Sequence, residues 1–574
     1  MQSLNQFPAT KNQLQKLMAY SESIYQTIVE ERILKAIGFE RMGDRFDQIS
    51  EAHAKTFDWI LERSNAPPAE ETQPLDQISF AEWLASGNGI FHISGKLGSG
   101  KSTLMKFLCS DDRTTGYLRI WAGNRRLVFA KFFFWRPGTK LQKSLEGLYR
   151  SILFSIAKEC PELISTVFPT LLDHAYSGEK LSYGVAALEP QVIRSMFNHI
   201  ISNEDIYKNI CFCFFIDGLD EYEETPQADY QDLVLLLNRW TQSSPAGIKI
   251  CVSSREWNVF EKAFSKEQKL RLQDLTRGDI QIYIKERFDD LLMIDEDKEM
   301  RGQVDILIQE ILNKADGVFL WVSLVVQALR QGLQNGDRPK DLRRKLHHIP
   351  DDLIDLYRYL LNTIHPADRA KAYQTFAVAL EVSQREMMDM SLFQFSFLED
   401  FEENPRFLEK AGSEGSRIDI DGVNRRVEYV KKRLNGCCRC LVEAREVWDS
   451  FRQGPLRFKM TFTHRSVYEF FSADAQQNTA QYSQRSLPMG AILSAYVAEF
   501  AFCSLKLIDL ALPNGLGALC RAVREIVEES ALEHHFEIID HLHTAVMALQ
   551  NKQDLDFSIV HLICSHLYFP ISAD

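Results

Sequence analysis

Nine consecutive residues, GKLGSGKST from Gly95 to Thr103, combine three glycines, two lysines and three hydroxyl side chains in one short segment. Their spacing is Gly, four residues, Gly, Lys and then Ser or Thr, which is the pattern of a phosphate-binding loop. Glycines allow a tight turn in which consecutive backbone N–H groups point inward at phosphate oxygens. The Lys101 ammonium can reach the β- and γ-phosphates, and the Ser102 hydroxyl can ligate Mg²⁺. The segment therefore predicts a site for a nucleoside polyphosphate.

The sequence on either side of this segment fits a bound polyphosphate. An apolar run, Ile90–Ile93, precedes it, and a helix is expected over Ser102–Cys109. The positive N-terminal end of that helix would face the same anion. A glycine loop without a ligand is the alternative, and the flanking strand and helix argue against it. The residues assigned to nucleotide binding are Gly95, Gly98, Ser99, Gly100, Lys101, Ser102 and Thr103.

Acidic residues follow the most apolar run of the chain, in the segment IDGLDE from Ile216 to Glu221. A carboxylate at the C-terminal end of a buried parallel strand lies at the sheet edge where ligands bind. We assign Asp217, together with the Ser102 hydroxyl, to Mg²⁺. Asp220 and Glu221 are both candidates to orient or deprotonate an attacking water, and the sequence does not choose between them. An acidic, solvated turn is the alternative interpretation of this segment.

A third strand ends in polar residues, in the segment IKICVSSR from Ile248 to Arg255. An arginine at the end of a strand is more often a surface residue than a ligand. Beside the two motifs above, however, Arg255 is expected to lie next to the phosphate site and to sense the γ-phosphate. Asp220, Glu221 and Arg255 are therefore the candidate catalytic residues.

The strands that must position these residues are short apolar runs that alternate with helical stretches. They are Gly89–Ile93, Leu127–Trp135, Ile210–Ile216 and Ile248–Val252. Continuous apolar runs are typical of parallel strands that crossover helices cover on both faces. The predicted fold class is α/β plus all-α, with a doubly wound parallel-sheet domain that carries the phosphate-binding loop (P-loop), followed by helical domains.

The domain boundaries follow from changes in this pattern. Residues 1–63 show helical periodicity, for example in Phe46, Ile49, Phe57 and Ile60, and a Pro- and Glu-rich linker follows at Ser64–Gln77. The expected domains are a helical N-terminal segment with linker over 1–76, a nucleotide-binding domain over 77–256, a helical domain over 257–350, a further, mainly helical domain over 351–480 and a helical region over 481–574. A short hairpin is expected around Cys437–Phe462.

The motif-bearing segments resemble the NACHT domains of fungal signal-transducing (STAND) NTPases, including those with a nephrocystin-like N-terminal module. The resembling stretches are Phe80–Lys106, Phe132–Ser151, Phe215–Tyr222 and Ser253–Arg255. Farther along the chain, Leu275–Tyr283, Lys314–Val326 and Ile349–Tyr357 resemble the helical part of that module. The segment FTHRSVYEFF from Phe462 to Phe471 resembles the winged-helix signature of the family. The resemblance therefore implies a P-loop NTPase domain followed by helical and winged-helix domains, with the winged-helix-like domain over 351–480.

The resemblance implies an intracellular nucleotide switch of the kind used in innate immunity and in fungal nonself recognition. Such a switch rests with ADP or GDP bound, exchanges it for ATP or GTP with Mg²⁺, and then self-associates or activates an effector protein. The resemblance also implies that His464 contacts the diphosphate. A core histidine is the alternative for that residue. Where many members of the family carry Gly-x-Pro near the nucleotide base, this chain has Gly317-Val318-Phe319, which leaves the base contacts open.

Composition excludes several other classes of protein. The 66 basic and 79 acidic residues give a net charge of −13, which does not support a role on nucleic acid. No apolar run is long enough to span a membrane, and the N-terminus lacks a secretory signal, so a cytoplasmic location is expected. Cys437, Cys438 and Cys440 have no distant partner pair at zinc spacing and are expected to be packing residues. The late histidines, His534 to His566, also lack the spacing of a metal site, and they are interpreted as part of a solvated helix.

The guanine-specificity pattern Asn-Lys-x-Asp occurs twice, at Asn313–Asp316 and Asn551–Asp554. Neither follows an apolar strand, so we interpret the first as an interhelical turn and the second as a helix end. ATP and GTP both remain candidates.

We expect a nucleotide-dependent signalling switch that binds ATP or GTP with Mg²⁺ and hydrolyses it slowly, because no arginine apart from Arg255 is placed by sequence at the phosphates. Whether the protein is an enzyme in the ordinary sense stays open. The alternative is a scaffold or interaction protein that nucleotide stabilises without meaningful hydrolysis. The acidic residues Asp217, Asp220 and Glu221 argue against that alternative. A metabolic kinase is disfavoured because no acceptor pocket or substrate base can be identified.

Overall fold

The computed structural model describes residues 27–28, 30–62, 79–163, 188–292, 298–384, 390–410, 417–447, 454–477 and 489–502. The chain divides into two compact units. The first comprises Met1–Val326 and Leu333–Pro339, and the second comprises Gln327–Gly332 and Lys340–Asp574. The predicted linker at Ser64–Gln77, most of the predicted C-terminal helical region, the late histidines and the second Asn-Lys-x-Asp pattern lie outside the described residues.

A five-stranded sheet forms the centre of the first unit. Its strands are β1 (Gly89–Ser94), β2 (Arg126–Phe133), β3 (Ile210–Asp217), β4 (Ile248–Ser254) and β5 (Lys269–Arg271). The spatial order is β2-β3-β4-β1-β5, and each neighbouring pair is parallel. The carboxyl ends of β1, β4 and β3 therefore lie side by side at one edge of the sheet.

Helices connect the strands and continue beyond the last of them. They are α1 (Asp44–Gln48), α2 (Phe80–Ser86), α3 (Lys101–Ser110), α4 (Asp112–Ala122), α5 (Leu145–Glu159), α6 (Pro190–Ser202), α7 (Tyr230–Ser243), α8 (Asn258–Ala263), α9 (Leu272–Leu275), α10 (Arg277–Leu292), α11 (Lys298–Ala315) and α12 (Phe319–Gln334).

Both faces of the sheet are buried, as the continuous apolar runs predict. Along β3, Phe212 and Phe214 belong to one hydrophobic cluster, and Cys213 and Phe215 belong to the other. Successive side chains of a strand point to opposite faces, so a strand between two helical layers must be apolar throughout. The predicted doubly wound α/β fold with helical regions is confirmed.

Strand β5 was not predicted, because two of its three residues, Lys269 and Arg271, are charged. It lies at the edge of the sheet, beside β1. An edge strand needs no continuous apolar run, so apolar patterning cannot reveal it.

The segment before the linker packs against this sheet domain. The Lys106 ammonium of α3 donates to the carbonyl of Ile49 at 2.7 Å and pairs with Glu51 at 2.8 Å. Phe57, Ile60 and Leu61 are buried in the same hydrophobic cluster as the residues of β1 and α3. The residues from 30 to 62 are therefore part of the core of the first unit.

The helical periodicity expected from Phe46 to Ile60 is wrong for most of that stretch. Helix α1 ends at Gln48, and Lys55 and Phe57 have positive φ angles of 66° and 67°. Apolar residues spaced by three and four also occur in an irregular segment that follows a hydrophobic surface, and here tertiary packing overrides local propensity.

The second unit is mainly helical. Its helices are α13 (Pro339–His348, from Lys340 onward), α14 (Leu353–Asn362), α15 (Pro366–Gln384), α16 (Leu392–Phe395), α17 (Phe397–Glu403), α18 (Ile420–Cys437), α19 (Arg465–Gln477) and α20 (Met489–Phe502). Two antiparallel strands, β6 (Val442–Glu446) and β7 (Phe458–Phe462), lie between α18 and α19 and form the expected hairpin. Ser391 adds a single bridge to Lys459 of β7.

Among the helices that the structure describes, none combines the length and the apolar character that crossing a bilayer requires.

His92 gives the first unit a testable dependence of stability on pH. It is fully buried on β1, and burial, aided by the charges of Lys269 and Lys101, lowers its pKa from 6.5 to about 3. Since the unfolded chain takes up this proton near pH 6.5 and the folded chain does not, stability should fall as pH drops from about 6.5 towards 3. The slope from this one group reaches about 1.4 kcal/mol per pH unit.

His92→Phe should reduce that loss, because phenylalanine does not titrate. The partner of His92 Nε2 is Ser254 Oγ, at 2.8 Å, and that hydroxyl keeps its own bond to the carbonyl of Arg255. Thermal midpoints of the wild-type and His92→Phe proteins between pH 4 and 8 measure the difference. Equal acid sensitivity in the two proteins would contradict the assignment.

Candidate nucleotide-binding site

The phosphate-binding motif forms the turn between β1 and α3. Gly98 and Gly100 have positive φ angles of 73° and 96°, and Gly100 is the N-cap residue that precedes α3. Glycine adopts this left-handed backbone without a steric penalty. A side chain at Gly98 would also place its Cβ 2.9 Å from Cβ of Leu320. The motif therefore needs its glycines both for the turn and for close approach by a neighbouring helix.

The Lys101 side chain lies across the inside of this turn. Its ammonium donates to the carbonyls of Gly95 at 2.7 Å and of Lys96 at 2.9 Å. Burial lowers the Lys101 pKa, and the carboxylates of Asp220, Asp217 and Glu221 oppose that shift. The ammonium and the acidic groups assigned from sequence thus lie within electrostatic range of each other.

Asp217 ends β3 and is almost completely buried. Ser253 of β4 joins it to the next turn, since its hydroxyl donates to Asp217 Oδ1 at 2.5 Å and accepts from the backbone N–H of Gly218 at 2.9 Å. Burial raises the Asp217 pKa to about 6, while hydrogen bonds from Ser253 and Ser102 oppose the rise. The structure therefore brings together Ser102 and Asp217, the two residues assigned to Mg²⁺.

Arg255 directly follows β4 and is held by Asp220. The backbone N–H of Arg255 donates to Asp220 Oδ1 at 3.1 Å, and its Nε lies 3.1 Å from Oδ2. Asp220 belongs to a short 3-10 turn, Leu219–Glu221, that starts immediately beyond β3 and Gly218. Two of the three candidate catalytic residues therefore contact each other.

Glu221, the third candidate, is also buried but has a different partner. Its Oε2 accepts the backbone N–H of Arg136, at 3.1 Å, from the segment that follows β2. The two acids between which the sequence could not choose thus occupy distinct environments, one against an arginine side chain and one against backbone.

Two buried oxygen atoms test whether this edge suits a nucleotide and a metal ion. Ser99 Oγ is buried in the turn, and Asp217 Oδ2 is buried beside Ser102. Within the described residues neither atom has a hydrogen bond of normal geometry. Buried polar atoms usually have a partner, so each exception calls for an explanation. A phosphate group at Ser99 and a hard cation such as Mg²⁺ at Asp217 fit the chemistry of these atoms.

Several contacts at the site were not predicted from sequence. Gln273 Oε1 accepts the backbone N–H of Lys96, and the backbone N–H of Leu320 donates to the carbonyl of Gly98 at 3.0 Å. From the N-terminal segment, the charge of Arg45 acts on Asp217 and lowers its pKa. These residues lie far from the motif in the sequence and match no nucleotide-binding pattern, so only their tertiary positions reveal them.

Gly317-Val318-Phe319 lies at the start of α12, beside the phosphate-binding turn. Gly317 has a φ of 74°, and a Cβ there would lie 2.4 Å from the carbonyl oxygen of Gln273. The segment Asn313–Asp316 ends α11 and precedes this turn, and Asn313 accepts from Arg277 at 3.0 Å. Asn313, Lys314 and Ala315 thus form the last turn of α11 and only Asp316 lies in the interhelical turn, so the interpretation of the whole segment as a turn is wrong for its first three residues.

His464 belongs to the second unit, at the end of β7. Its Nδ1 lies 2.7 Å from Ser466 Oγ, and that hydroxyl in turn lies 2.6 Å from the hydroxyl of Tyr357. The proposed contact of His464 with a diphosphate therefore stays a prediction, as do the individual roles of the other site residues.

Gly98→Ala should weaken nucleotide binding by about tenfold or more, because the left-handed backbone costs a non-glycine residue roughly 1–2 kcal/mol even without a clash. Gly116→Ala in α4 is the matched control, since a Cβ there meets no atom within 4 Å. Titration calorimetry with a non-hydrolysable triphosphate measures both proteins. Equal affinity of the Gly98→Ala and wild-type proteins would show that the turn tolerates a side chain.

Two family models match the chain. Residues 72–255 match the family "Nephrocystin 3, N-terminal", and residues 363–503 match a "Domain of unknown function (DUF7791)". Vegetative incompatibility protein HET-E-1 of Podospora anserina is 27% identical over 349 residues, which cover 58% of this chain. The aligned region spans only 23% of that relative's own length.

Solved structures with partial likeness include the Aeropyrum pernix ORC2 protein, at 14% identity and a TM-score of 0.28 over 74% of this chain and 98% of that one. Cdc6p from Pyrobaculum aerophilum aligns at 11% identity and a TM-score of 0.24 over 70% of this chain and 91% of that one. TM-scores this low carry no argument about function.

The parallel sheet, the glycine turn between β1 and α3 and the match of residues 72–255 agree with one another. They support the resemblance to fungal NACHT proteins of the signal-transducing (STAND) class, and residues 72–255 are similar to the family "Nephrocystin 3, N-terminal".

Proposed function

We propose that this protein is a nucleotide-dependent signalling switch that binds ATP or GTP with Mg²⁺ and hydrolyses it slowly. The supporting observation is the convergence of three sequence motifs at one edge of the sheet. Lys101, Asp217 and the Asp220–Arg255 pair come from three adjacent strands and lie within electrostatic range of one another. Such a site can hold the phosphates of a nucleoside triphosphate, including the γ-phosphate, together with a metal ion.

The chain's own residues divide the work as follows. The backbone N–H groups of the turn and the N-terminus of α3 bind phosphate oxygens, and Lys101 neutralises their charge. Asp217 and Ser102 would hold Mg²⁺, which supplies positive charge that offsets the negative charge of the phosphates. Glu221 and Asp220 are the buried acids that orient water or the groups around it.

A switch between two conformations is favoured because the loop is tied to the helices that follow the sheet. Gly98 and Lys96 contact Leu320 and Gln273, so a movement of the loop on nucleotide binding is transmitted to α12 and α9. In many nucleotide switches the γ-phosphate orders a segment or shifts a helix, and hydrolysis reverses that change in conformation. Self-association and activation of an effector protein are the outputs we propose, in keeping with the similarity to a vegetative incompatibility protein.

We also propose a winged-helix-like domain over 351–480, following the helical domain over 257–350 and the nucleotide-binding domain over 77–256. The helix α18, the hairpin of β6 and β7, the bridge from Ser391 to Lys459 and the helix α19 support it. His464, which follows the hairpin, would contact the diphosphate of the resting state.

Mass spectrometry of the nucleotide that co-purifies with the protein tests the first step of the proposal, and its identity decides between ATP and GTP. Single-turnover assays with radiolabelled ATP and GTP test the second step. Slow conversion of bound triphosphate supports a switch, whereas rapid multiple turnover by the monomer contradicts it. Triphosphate that stays intact for hours favours the alternative of a nucleotide-stabilised scaffold. Size-exclusion chromatography with a non-hydrolysable triphosphate tests self-association.

A further inference from the structure

Asp220 and Arg255 form an ion pair in which the carboxylate contacts both the backbone and the guanidinium of the arginine. The Arg255 backbone N–H and its Nε bind the two oxygens of the same carboxylate, at 3.1 Å each. Contacts at the backbone and at Nε leave a side chain few rotamers, since they fix the start and the end of its aliphatic part. Asp220 therefore determines the direction in which the Arg255 guanidinium points.

The pair is shielded from water to an unequal degree. The Asp220 side chain is 4% exposed, and the Arg255 side chain is 21% exposed. The carboxylate is thus the buried partner, and the guanidinium is the partner that a ligand can reach. A residue that activates water needs an oxygen directed at that water, but both Asp220 oxygens are already engaged with Arg255.

The pair lies at the phosphate end of the site. Burial lowers the pKa of Lys101, and both members of the pair act on it too: the Asp220 carboxylate raises that pKa and the Arg255 guanidinium lowers it. Lys101 is the residue expected at the β- and γ-phosphates, so a guanidinium nearby suits the phosphate farthest from the nucleoside. Glu221 lies in the same turn but does not contact Arg255 through the bonds that hold Asp220; its Oε2 accepts the backbone N–H of Arg136.

We propose that Asp220 is a positioning residue. It holds the Arg255 guanidinium towards the γ-phosphate and thereby sets the preference of the site for a nucleoside triphosphate over a diphosphate. This inference rests on the proposed function, because it assumes that nucleotide binds at the phosphate loop. It assigns the water-activating role to Glu221 and removes Asp220 from the candidates for that role.

The test measures the affinity of full-length protein for AMP-PNP and ADP, or for GMP-PNP and GDP, with Mg²⁺. The proteins are wild type, Asp220→Asn, Arg255→Ala and the double variant. If Asp220 acts through Arg255, each single change lowers the preference for triphosphate by about tenfold, and the double change lowers it no further. Glu223→Gln removes a nearby negative charge that pairs with Lys143 at the surface, and it is the matched control, whose preference should change by less than about twofold.

Arg255→Lys provides a second, independent variant in case Asp220→Asn does not fold. Lysine keeps the positive charge but lacks the Nε donor that Asp220 holds, so the preference for triphosphate should still fall. Full preference in the Arg255→Lys protein would show that charge alone suffices and would overturn the inference.

Three other results would also overturn it. In the first, Asp220→Asn keeps the preference but abolishes hydrolysis, which would make Asp220 the water-activating residue. In the second, Asp220→Asn raises the preference, which would mean that Asp220 restrains Arg255 instead of presenting it. In the third, the two changes are additive. If wild-type protein binds neither nucleotide, the proposed function itself fails, which is a separate outcome from an unchanged preference in a protein that binds both.

Discussion

Lys101→Ala is expected to leave the protein folded but unable to retain a nucleotide. The ammonium of Lys101 is the cation inside the glycine turn, where it donates to two carbonyls of that turn and lies near three carboxylates. Charge-assisted hydrogen bonds of this kind contribute about 1.5–3 kcal/mol, so affinity should fall by about 10- to 150-fold. The nucleotide content of purified protein, read by mass spectrometry, and calorimetric titration measure the loss.

Lys96→Ala is the matched control, since it removes a lysine from the same loop. The Lys96 ammonium pairs with Asp316 at the outer side of the turn and is partly exposed. Its removal should leave nucleotide content nearly unchanged. Normal nucleotide content in the Lys101→Ala protein would eliminate the assignment of this turn as the phosphate site.

Asp217→Asn is expected to abolish the dependence of nucleotide binding on Mg²⁺ and to lower hydrolysis by about 100-fold, because metal coordination contributes several kcal/mol of charge stabilisation in phosphoryl transfer. Asparagine has the size of aspartate, and its amide oxygen can still accept from the Ser253 hydroxyl. The fold should therefore survive the change. Affinities measured with Mg²⁺ and with EDTA, together with single-turnover hydrolysis, test the expectation.

Asp205→Asn serves as the control for that experiment. Asp205 pairs with Lys208 on the exposed surface of the same unit, away from the carboxyl edge of the sheet. Its replacement should alter neither quantity. If the Asp217→Asn protein keeps the Mg²⁺ dependence of the wild type, the metal is bound by other residues.

The location of the candidate site could be predicted from sequence because it depends on local signals. A glycine turn between an apolar strand and a helix is recognisable from nine residues, and the carboxylate that ends β3 follows a continuous run of apolar residues. Parallel strands end at the same edge of a sheet, so Lys101, Asp217 and Arg255 could be placed together without knowledge of the strand order.

Other parts of the site could not be predicted, because they depend on contacts between residues distant in sequence. Ser253 is an ordinary serine until β4 lies beside β3 and its hydroxyl reaches Asp217. The pairing of Asp220 with Arg255 spans 35 positions and turns a candidate base into a partner of an arginine. The irregular segment of residues 49–57 cannot be distinguished from a helix by apolar spacing. Its apolar residues contact a hydrophobic surface, and they recur at the intervals expected of a helix.

The packing of residues 30–62 also determines where the folded domain begins. The match to the nephrocystin-3 family model starts at residue 72, yet Phe57, Ile60 and Leu61 lie in a core shared with Phe91. A fragment that starts at residue 72 would expose this apolar surface to solvent. It would also remove the carbonyl of Ile49 that accepts a hydrogen bond from Lys106. The cooperatively folding unit therefore includes residues 30–62, which precede the region matched by the family model. An expressed fragment should begin ahead of residue 30.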